Sequence, residues 1–446
     1  MLARGLRARF SSIDEDSKRF IKWLLVWVVL INFCFMIMWF IGAPTRRIEI
    51  VAVGLVGLIV KRFPWPLQAT VFVLTMIACL MTFVGGLFNL SFLSIFHSLK
   101  FFSELQVQNS LEYVVVSLLL LATMALGVFL LRQDTNFTSP KLIIFAAIVI
   151  AGLSFTDHSV GQGMRGHYKR MASAETPFES AVQQSGFASR ADGKRHLILI
   201  MVESLGVPVD NPEMSKRLFE AFEQPAVKSK YEIQRGTSVY YNSTTAGEVR
   251  ELCGRWGDYY ELVETADKDC LPSQLAAGNY DTQAIHSFQG DFFARDKWYP
   301  NIGFKGQQFR QDLADQDINI CGGVFVGACD HEMPAFLAKT LKAAEKPTFL
   351  YWLTVNTHLP VPEGMNLPSD NCEKYSPVLA RDFPMICRQF AIFDAVDRAL
   401  VKEMLAKDFP DADILIVGDH MPPFFDRRHR AQFDPTRVPW IYLKQK

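Results

Sequence analysis

Two apolar runs in this chain end on side chains that can bind a cation or move a proton. Leu415–Val417 leads through Gly418 into the pair Asp419-His420, and Leu197–Val202 ends on Glu203, followed by Ser204-Leu205-Gly206. Carboxylates joined by an imidazole are a ligand set for a divalent ion such as Zn, Mn or Mg. Between the two runs lies Tyr241-Asn242-Ser243-Thr244-Thr245-Ala246-Gly247-Glu248, a hydroxyl-rich turn ahead of an expected helix. A threonine at a helix N-terminus beside a cation is a candidate nucleophile, because the helix dipole and the ion both stabilise its alkoxide. The same spacing also reads as a capping box, in which the hydroxyl does no more than close the helix end. The doublet leaves Thr244 and Thr245 both open as the reactive residue.

These residues need a frame that brings them together. Patterns after Arg195 alternate between strand and helix. Leu197–Val202, Gln283–Phe288, Phe349–Val355, Ile414–Val417 and Val438–Leu443 read as strands, and Pro212–Ala226 and Phe390–Leu405 as helices. Such alternation predicts an α/β domain with a mostly parallel central sheet and helices on both faces. In open sheets of this kind, ligands bind outside the carboxyl ends of the strands, which is where Glu203 and Asp419-His420 fall.

The first third of the chain is different. Trp23–Ile41, Leu67–Phe88 and Leu111–Leu131 are apolar and long enough to cross a bilayer, which takes about 20 helical residues. Ile48–Val60 and Leu142–Phe155 are shorter, with Arg46, Arg47, Lys61, Arg62 and Lys141 placed to snorkel. The expectation is an α-helical membrane domain of five transmembrane helices over residues 1–155, a polar linker over 156–194, and a catalytic domain over 195–446. The first run is too long for a cleaved signal peptide and lacks a small-residue cleavage site. Asn89–Asn109 is aromatic-rich and amphipathic, as an interfacial segment would be.

Charge sets the orientation. Arg4, Arg7, Arg9, Lys18 and Arg19 precede the first run, and Lys61, Arg62, Arg132 and Lys141 fall in loops that five spans would place on the same, cytoplasmic side. Arg46 and Arg47 fall on the opposite side and weaken the pattern. Six cysteines follow the membrane region: Cys253, Cys270, Cys321, Cys329, Cys372 and Cys387. They allow fifteen pairings; three sequence-local couples in an oxidising compartment are the expected one. A formal net charge of +0 and the lack of a basic block exclude a nucleic-acid surface.

Four motifs occur in a telling order: Glu203 after its strand; Thr244-Thr245-Ala246-Gly247 with Cys253-Gly254 downstream; Thr354-Val355-Asn356-Thr357-His358-Leu359-Pro360; and Gly418-Asp419-His420. Together they resemble the alkaline-phosphatase/sulfatase superfamily, in its branch of membrane-anchored phosphoglycerol and phosphoethanolamine transferases, which includes the lipoteichoic acid synthases and the glucan phosphoglycerol transferases. The resemblance spans essentially the whole chain and implies a multi-pass protein of the inner membrane with a periplasmic, extracytoplasmic catalytic domain. It implies that Glu203, Thr244, Asp419 and His420 hold one divalent metal and that Thr244 becomes phospho-modified. It further implies that His358 contacts the phosphate and protonates a leaving group, and that Arg295, in Phe292-Phe293-Ala294-Arg295-Asp296, binds phosphate as a planar fork. The donor would be a membrane phospholipid, and the acceptor an envelope glycan or lipid. His286, His331 and His429 are read as structural.

Departures from the pattern narrow the reading. Cys253-Gly254-Arg255-Trp256-Gly257 lacks the Cys/Ser-X-Pro-X-Arg form that sulfatases need, which argues against sulfate-ester hydrolysis. Arg437 stands before Val438-Pro439, where phosphoethanolamine transferases usually have a histidine. The Asp-His pair is followed by Met421-Pro422 instead of Gly-Glu-Ser. Thr244-Thr245-Ala246-Gly247 with Cys253-Gly254 downstream, and Cys372 and Cys387 after the Thr-His segment, look closer to the glucan phosphoglycerol transferases, which tilts the resemblance towards phosphoglycerol transfer, with phosphoethanolamine transfer or hydrolysis of a phosphodiester as the alternatives.

Overall fold

The computed structural model describes residues 15–40, 45–88, 111–164, 172, 175–241, 243–323, 325–424 and 427–446. They divide into two compact units, the first containing the described residues up to 164 and the second those from 172 onward. The amphipathic stretch at Asn89–Asn109 lies outside the described residues.

The first unit is helical. Glu15–Leu24 continues through a π-helical stretch, Leu25–Leu30, into Ile31–Met36, and is followed by Arg47–Val60, Trp65–Phe88, Leu111–Leu130 and Pro140–Met164. Among the described residues, three helices are long and apolar enough to cross a membrane: Glu15–Met36, Trp65–Val84 and Pro140–Val160. Val114–Leu130 is a shorter apolar helix. Arg47–Val60, with 14 residues, is roughly 21 Å long against a hydrocarbon core of about 30 Å. Leu142–Phe155, short by hydropathy, lies inside the long last helix. The helix continues past Phe155 because Asp157 is buried and satisfied there, accepting from the Arg46 backbone N–H at 2.7 Å and the Trp39 indole at 2.8 Å. Gly57 lets the Trp27 ring lie against its helix; a Cβ there would come within 2.6 Å of that ring.

The described residues of the second unit form nine strands: β1 (His196–Val202), β2 (Tyr231–Val239), β3 (Asp281–His286), β4 (Gly306–Gln308), β5 (Ile320–Cys321), β6 (Gly327–Ala328), β7 (Thr348–Leu353), β8 (Ala412–Gly418) and β9 (Arg437–Gln445). Seven form one sheet in the order β2-β9-β8-β1-β7-β3-β4, in which only β9 runs against its neighbours. β1, β7 and β8 are buried along their whole length, which is why they read as unbroken apolar runs. β1 and β8 are hydrogen-bonded neighbours with Val202 opposite Gly418. The next residues, Glu203 and Asp419, therefore leave the sheet side by side.

Three helices matter for the site: α1 (Thr244–Cys253), α2 (Met333–Lys342) and α3 (Pro384–Met404). The single helix expected over Pro212–Ala226 is broken. Phe219 adopts φ +60° between Pro212–Arg217 and a 3-10 turn, and Pro225 starts a separate helix to Lys230. Of the linker expected over 156–194, the described residues 156–164 continue the last helix and 175–194 include two short helical stretches. Ser180 caps the helix Ala181–Ser185, and Phe187 is fully buried against Tyr442. The disulfides are the three local ones, Cys253–Cys270, Cys321–Cys329 and Cys372–Cys387.

Candidate metal centre

Glu203, Asp419 and His420 converge at the carboxyl ends of β1 and β8, with ligand-capable atoms all within 4.8 Å of one another. The His420 Nε2 lies 3.5 Å from Glu203 Oε1 and 3.4 Å from Asp419 Oδ2. The N-terminus of α1 brings in Thr244, whose hydroxyl donates to Glu203 Oε2 at 3.1 Å and lies 3.4 Å from His420 Nε2. Ser243 occupies the N-cap position and makes no side-chain capping bond. The Thr244 hydroxyl thus faces the acids and does not close the helix. Thr245 is buried one residue on and pairs with the Ser243 hydroxyl at 3.3 Å.

Each member is held by local bonds. The Glu203 backbone N–H donates to Thr354 Oγ1 at 2.9 Å, and its carbonyl accepts from Thr357 Oγ1 at 2.6 Å, so the loop after β7 braces the end of β1. Ser204 adopts φ +57°, a costly conformation for a non-glycine residue that marks functional turns. That turn aims its N–H at Asp419 Oδ1, 2.8 Å away, and its hydroxyl at Glu203 Oε1, also at 2.8 Å. Asp419 Oδ1 takes a second bond from the His420 N–H at 2.6 Å. His420 Nδ1 lies 2.8 Å from the Met421 carbonyl, which fixes the proton on Nδ1 and leaves the Nε2 lone pair for the site.

The electrostatics say what is missing from this set. Burial and the neighbouring Glu203 push the Asp419 carboxyl up to about 7. Burial acts on Glu203 in the same sense, but His420 and His358 outweigh it and hold that acid below its ordinary value. His420 is raised against its burial by Asp419 and Glu203. Asp419 Oδ2 is buried with no hydrogen-bond partner. Two buried acids, a lone-pair nitrogen and an orphaned carboxylate oxygen are the donor set that a divalent cation satisfies.

His358 lies on the same loop as Thr354 and Thr357. Its Nδ1 is 2.9 Å from the Leu359 carbonyl, and the Phe325 ring meets it edge-on at 4.4 Å. Burial lowers it, against the pull of Glu203. The loop itself is clasped by Asp330, whose Oδ2 accepts from Val355 N at 2.9 Å and Asn356 N at 2.6 Å. Asp330 follows Cys329, so the Cys321–Cys329 hairpin supplies both Phe325 and this clasp.

Arg295 departs from expectation. It is 1% exposed, and its guanidinium grips Glu248 of α1 through Nε and Nη2 at 3.0 and 2.7 Å, while Nη1 donates to the Phe292 carbonyl. The Tyr299 and Tyr351 hydroxyls complete the cage around Glu248. The fork is occupied by a carboxylate inside the protein, so Arg295 is not presented as a phosphate ligand here. Glu248, which in the sequence also fits the acid of a capping box, is instead the buried partner of this guanidinium. Arg437 is likewise committed, to Thr237 and Glu179, and lies at the start of the edge-paired β9. His286 is buried with Nδ1 at 3.2 Å from the Leu353 carbonyl, and His429 packs between the Phe383 and Phe424 rings. The reading also missed Ser204 and Gln389. The latter is fully buried on α3 and donates to the Thr357 carbonyl at 3.0 Å. No periodicity marks either residue. Gln389 stands out only as an uncharged polar side chain inside an apolar helical face.

Residues 195–442 match the protein family described as Sulfatase. A comparison with curated proteins finds no match. Among solved structures, the chain is similar to the lipoteichoic acid synthase LtaP from Listeria monocytogenes, at 17% identity and a TM-score of 0.42 over 57% of this chain and 66% of that one. It is also similar to the phosphoglycerol transferase GacH of Streptococcus pyogenes, solved with sn-glycerol-1-phosphate, at 16% identity and a TM-score of 0.36 over 58% of this chain and 73% of that one. A third is the C-terminal periplasmic domain of EcEptC from Escherichia coli, solved in complex with Zn, at 15% identity and a TM-score of 0.36 over 58% and 75%.

Proposed function

The chain belongs to the sulfatase family, and we propose that it transfers a phosphoglycerol-type head group from a membrane phospholipid to an envelope glycan or lipid through a phospho-Thr244 intermediate. One observation carries this reading. The Thr244 hydroxyl lies 3.1 Å from Glu203 Oε2 and 3.4 Å from His420 Nε2, and the same cluster holds a buried Asp419 oxygen that has no hydrogen-bond partner. Glu203, Thr244, Asp419 and His420 would hold one divalent cation, Zn, Mn or Mg. Bound there, it supplies polarisation of a phosphoryl oxygen and acidification of the threonine hydroxyl.

The chain's own residues do the rest. Thr244 Oγ1 gives up its proton to water and bonds to phosphorus as the bond to the glyceride oxygen breaks, and that oxygen leaves with a proton that His358 has taken up from water. His358 is neutral at rest, and an arriving phosphodiester anion raises its proton affinity. An acceptor hydroxyl then gives its proton to His358 and displaces Thr244, whose oxygen takes a proton back from water. Splitting one exchange into two displacements lowers each barrier. Arg295 contributes by bracing α1 through Glu248. Five membrane helices, with Arg47–Val60 and Val114–Leu130 completing the set, would keep the catalytic unit at the periplasmic face of the inner membrane, where a lipid donor is found. The test is incubation of the full-length protein with radiolabelled phosphatidylglycerol or phosphatidylethanolamine and a divalent salt. Diacylglycerol released from phosphatidylglycerol, and lost in Thr244→Ala, is the expected result. Release from neither lipid refutes transfer, and release from phosphatidylethanolamine alone reassigns the head group.

A further inference from the structure

One row of α1 carries Thr244, Gly247 and Arg250, three residues apart, so they stack along one side of the helix. That side lies against the end of β8. Gly247 meets the Asp419 backbone so closely that a Cβ would sit 3.2 Å from its Cα and carbonyl oxygen. Arg250, 1% exposed, donates from Nη2 to the Gly418 carbonyl at 2.9 Å and from Nη1 to the Asp419 carbonyl at 3.3 Å. Its Nε donates to Glu251 Oε1 at 2.6 Å. Glu251 in turn accepts from the Ala181 and Val182 N–H groups at 3.2 and 2.9 Å, at the start of the helix Ala181–Ser185.

We propose that Arg250 and Glu251 are positioning residues: Arg250 fixes the Asp419-His420 turn at its distance from Thr244, and Glu251 keys that spacing to the helix Ala181–Ser185. The inference rests on the reading that Glu203, Thr244, Asp419 and His420 form a metal centre. A guanidinium is planar and its donors have fixed directions, so one group that binds the carbonyls of Gly418, the last residue of β8, and of Asp419, the first residue after it, sets both distance and orientation. A lysine keeps the charge but not the fork. Residues that orient ligands in this way typically change metal affinity by 10- to 100-fold when altered. No other cation among the described residues is hydrogen-bonded to the backbone of Asp419.

The test uses the full-length protein in detergent, titrated with Zn or Mn alone by calorimetry. Arg250→Lys should weaken binding by roughly 10- to 100-fold and Glu251→Gln by less, both with native near-UV circular dichroism. Arg190→Lys is the control. Arg190 pairs with Asp413 at the opposite end of β8, at 2.7 Å, so its loss strains the same strand without touching the turn. It should leave metal affinity unchanged. If Arg250→Lys does not fold, Glu251→Gln alone decides. Unchanged affinity in the folded Arg250 variant, or equal losses in the Arg250 and Arg190 variants, overturns the proposal. A wild-type protein that binds neither metal instead overturns the metal centre on which it rests.

Discussion

The cage around Glu248 gives a prediction that separates two roles for Arg295. Arg295→Met removes three contacts to a carboxylate that is fully buried, leaving it only the Tyr299 and Tyr351 hydroxyls. Breaking a buried pair by removing one partner costs about 3–5 kcal/mol, because the other charge stays buried. For a folded unit of this size that is roughly a 6–20 °C fall in Tm. Adding Glu248→Leu should recover most of the loss, since the charge left behind is gone. The assay is thermal unfolding by near-UV circular dichroism with diacylglycerol release measured alongside. A bracing role predicts that the double variant regains both stability and most of its turnover. If Arg295→Met leaves Tm unchanged while raising KM, and the double variant does not restore KM, the guanidinium serves the substrate and the bracing role is wrong.

Other consequences can be checked separately. Burial pushes the Asp330 carboxyl up to about 6. Its folded value lies above the unfolded one, so the native state binds the extra proton and stability falls as pH rises from about 4 to about 6, by about 3 kcal/mol. Asp330→Asn should flatten that slope in pH-dependent denaturant unfolding, and an unchanged slope would contradict the assignment. Replacing Cys321 and Cys329 by serine opens a short loop and should cost about 2–3 kcal/mol; since the loop also seats Phe325 against His358, turnover should fall more than stability alone explains. Gly247→Ala places a methyl against the Asp419 backbone and should reduce turnover about 10- to 100-fold with little change in Tm; full activity would show that the turn has room to give.

The strands that carry the site were legible because full burial removes alternation and leaves unbroken apolar runs that stop at polar residues. Glu203 and Asp419-His420 could be found for that reason. Their adjacency could not, because it depends on β1 and β8 being neighbours in the sheet, more than two hundred residues apart in the chain. β2 was missed because Tyr231–Val239 is a mostly half-exposed strand at the sheet's edge, with little apolar signal. Phe219 broke an expected helix through a backbone angle that its side chain does not announce. The pairing of Arg295 was not legible because a motif names a residue type, whereas its partner Glu248 comes from an element 47 positions away. The cysteine couples were legible because short loops are the least costly to close.

The central claim is that the Thr244 oxygen attacks phosphorus. Brief incubation with phosphatidylglycerol and a divalent salt, acid quench and peptide mass spectrometry test it directly. The account predicts a phosphoglycerol adduct on Thr244, present in Thr245→Ser and absent from Asp419→Asn. An adduct on Thr245 or elsewhere, or turnover with no adduct on any residue, would contradict it.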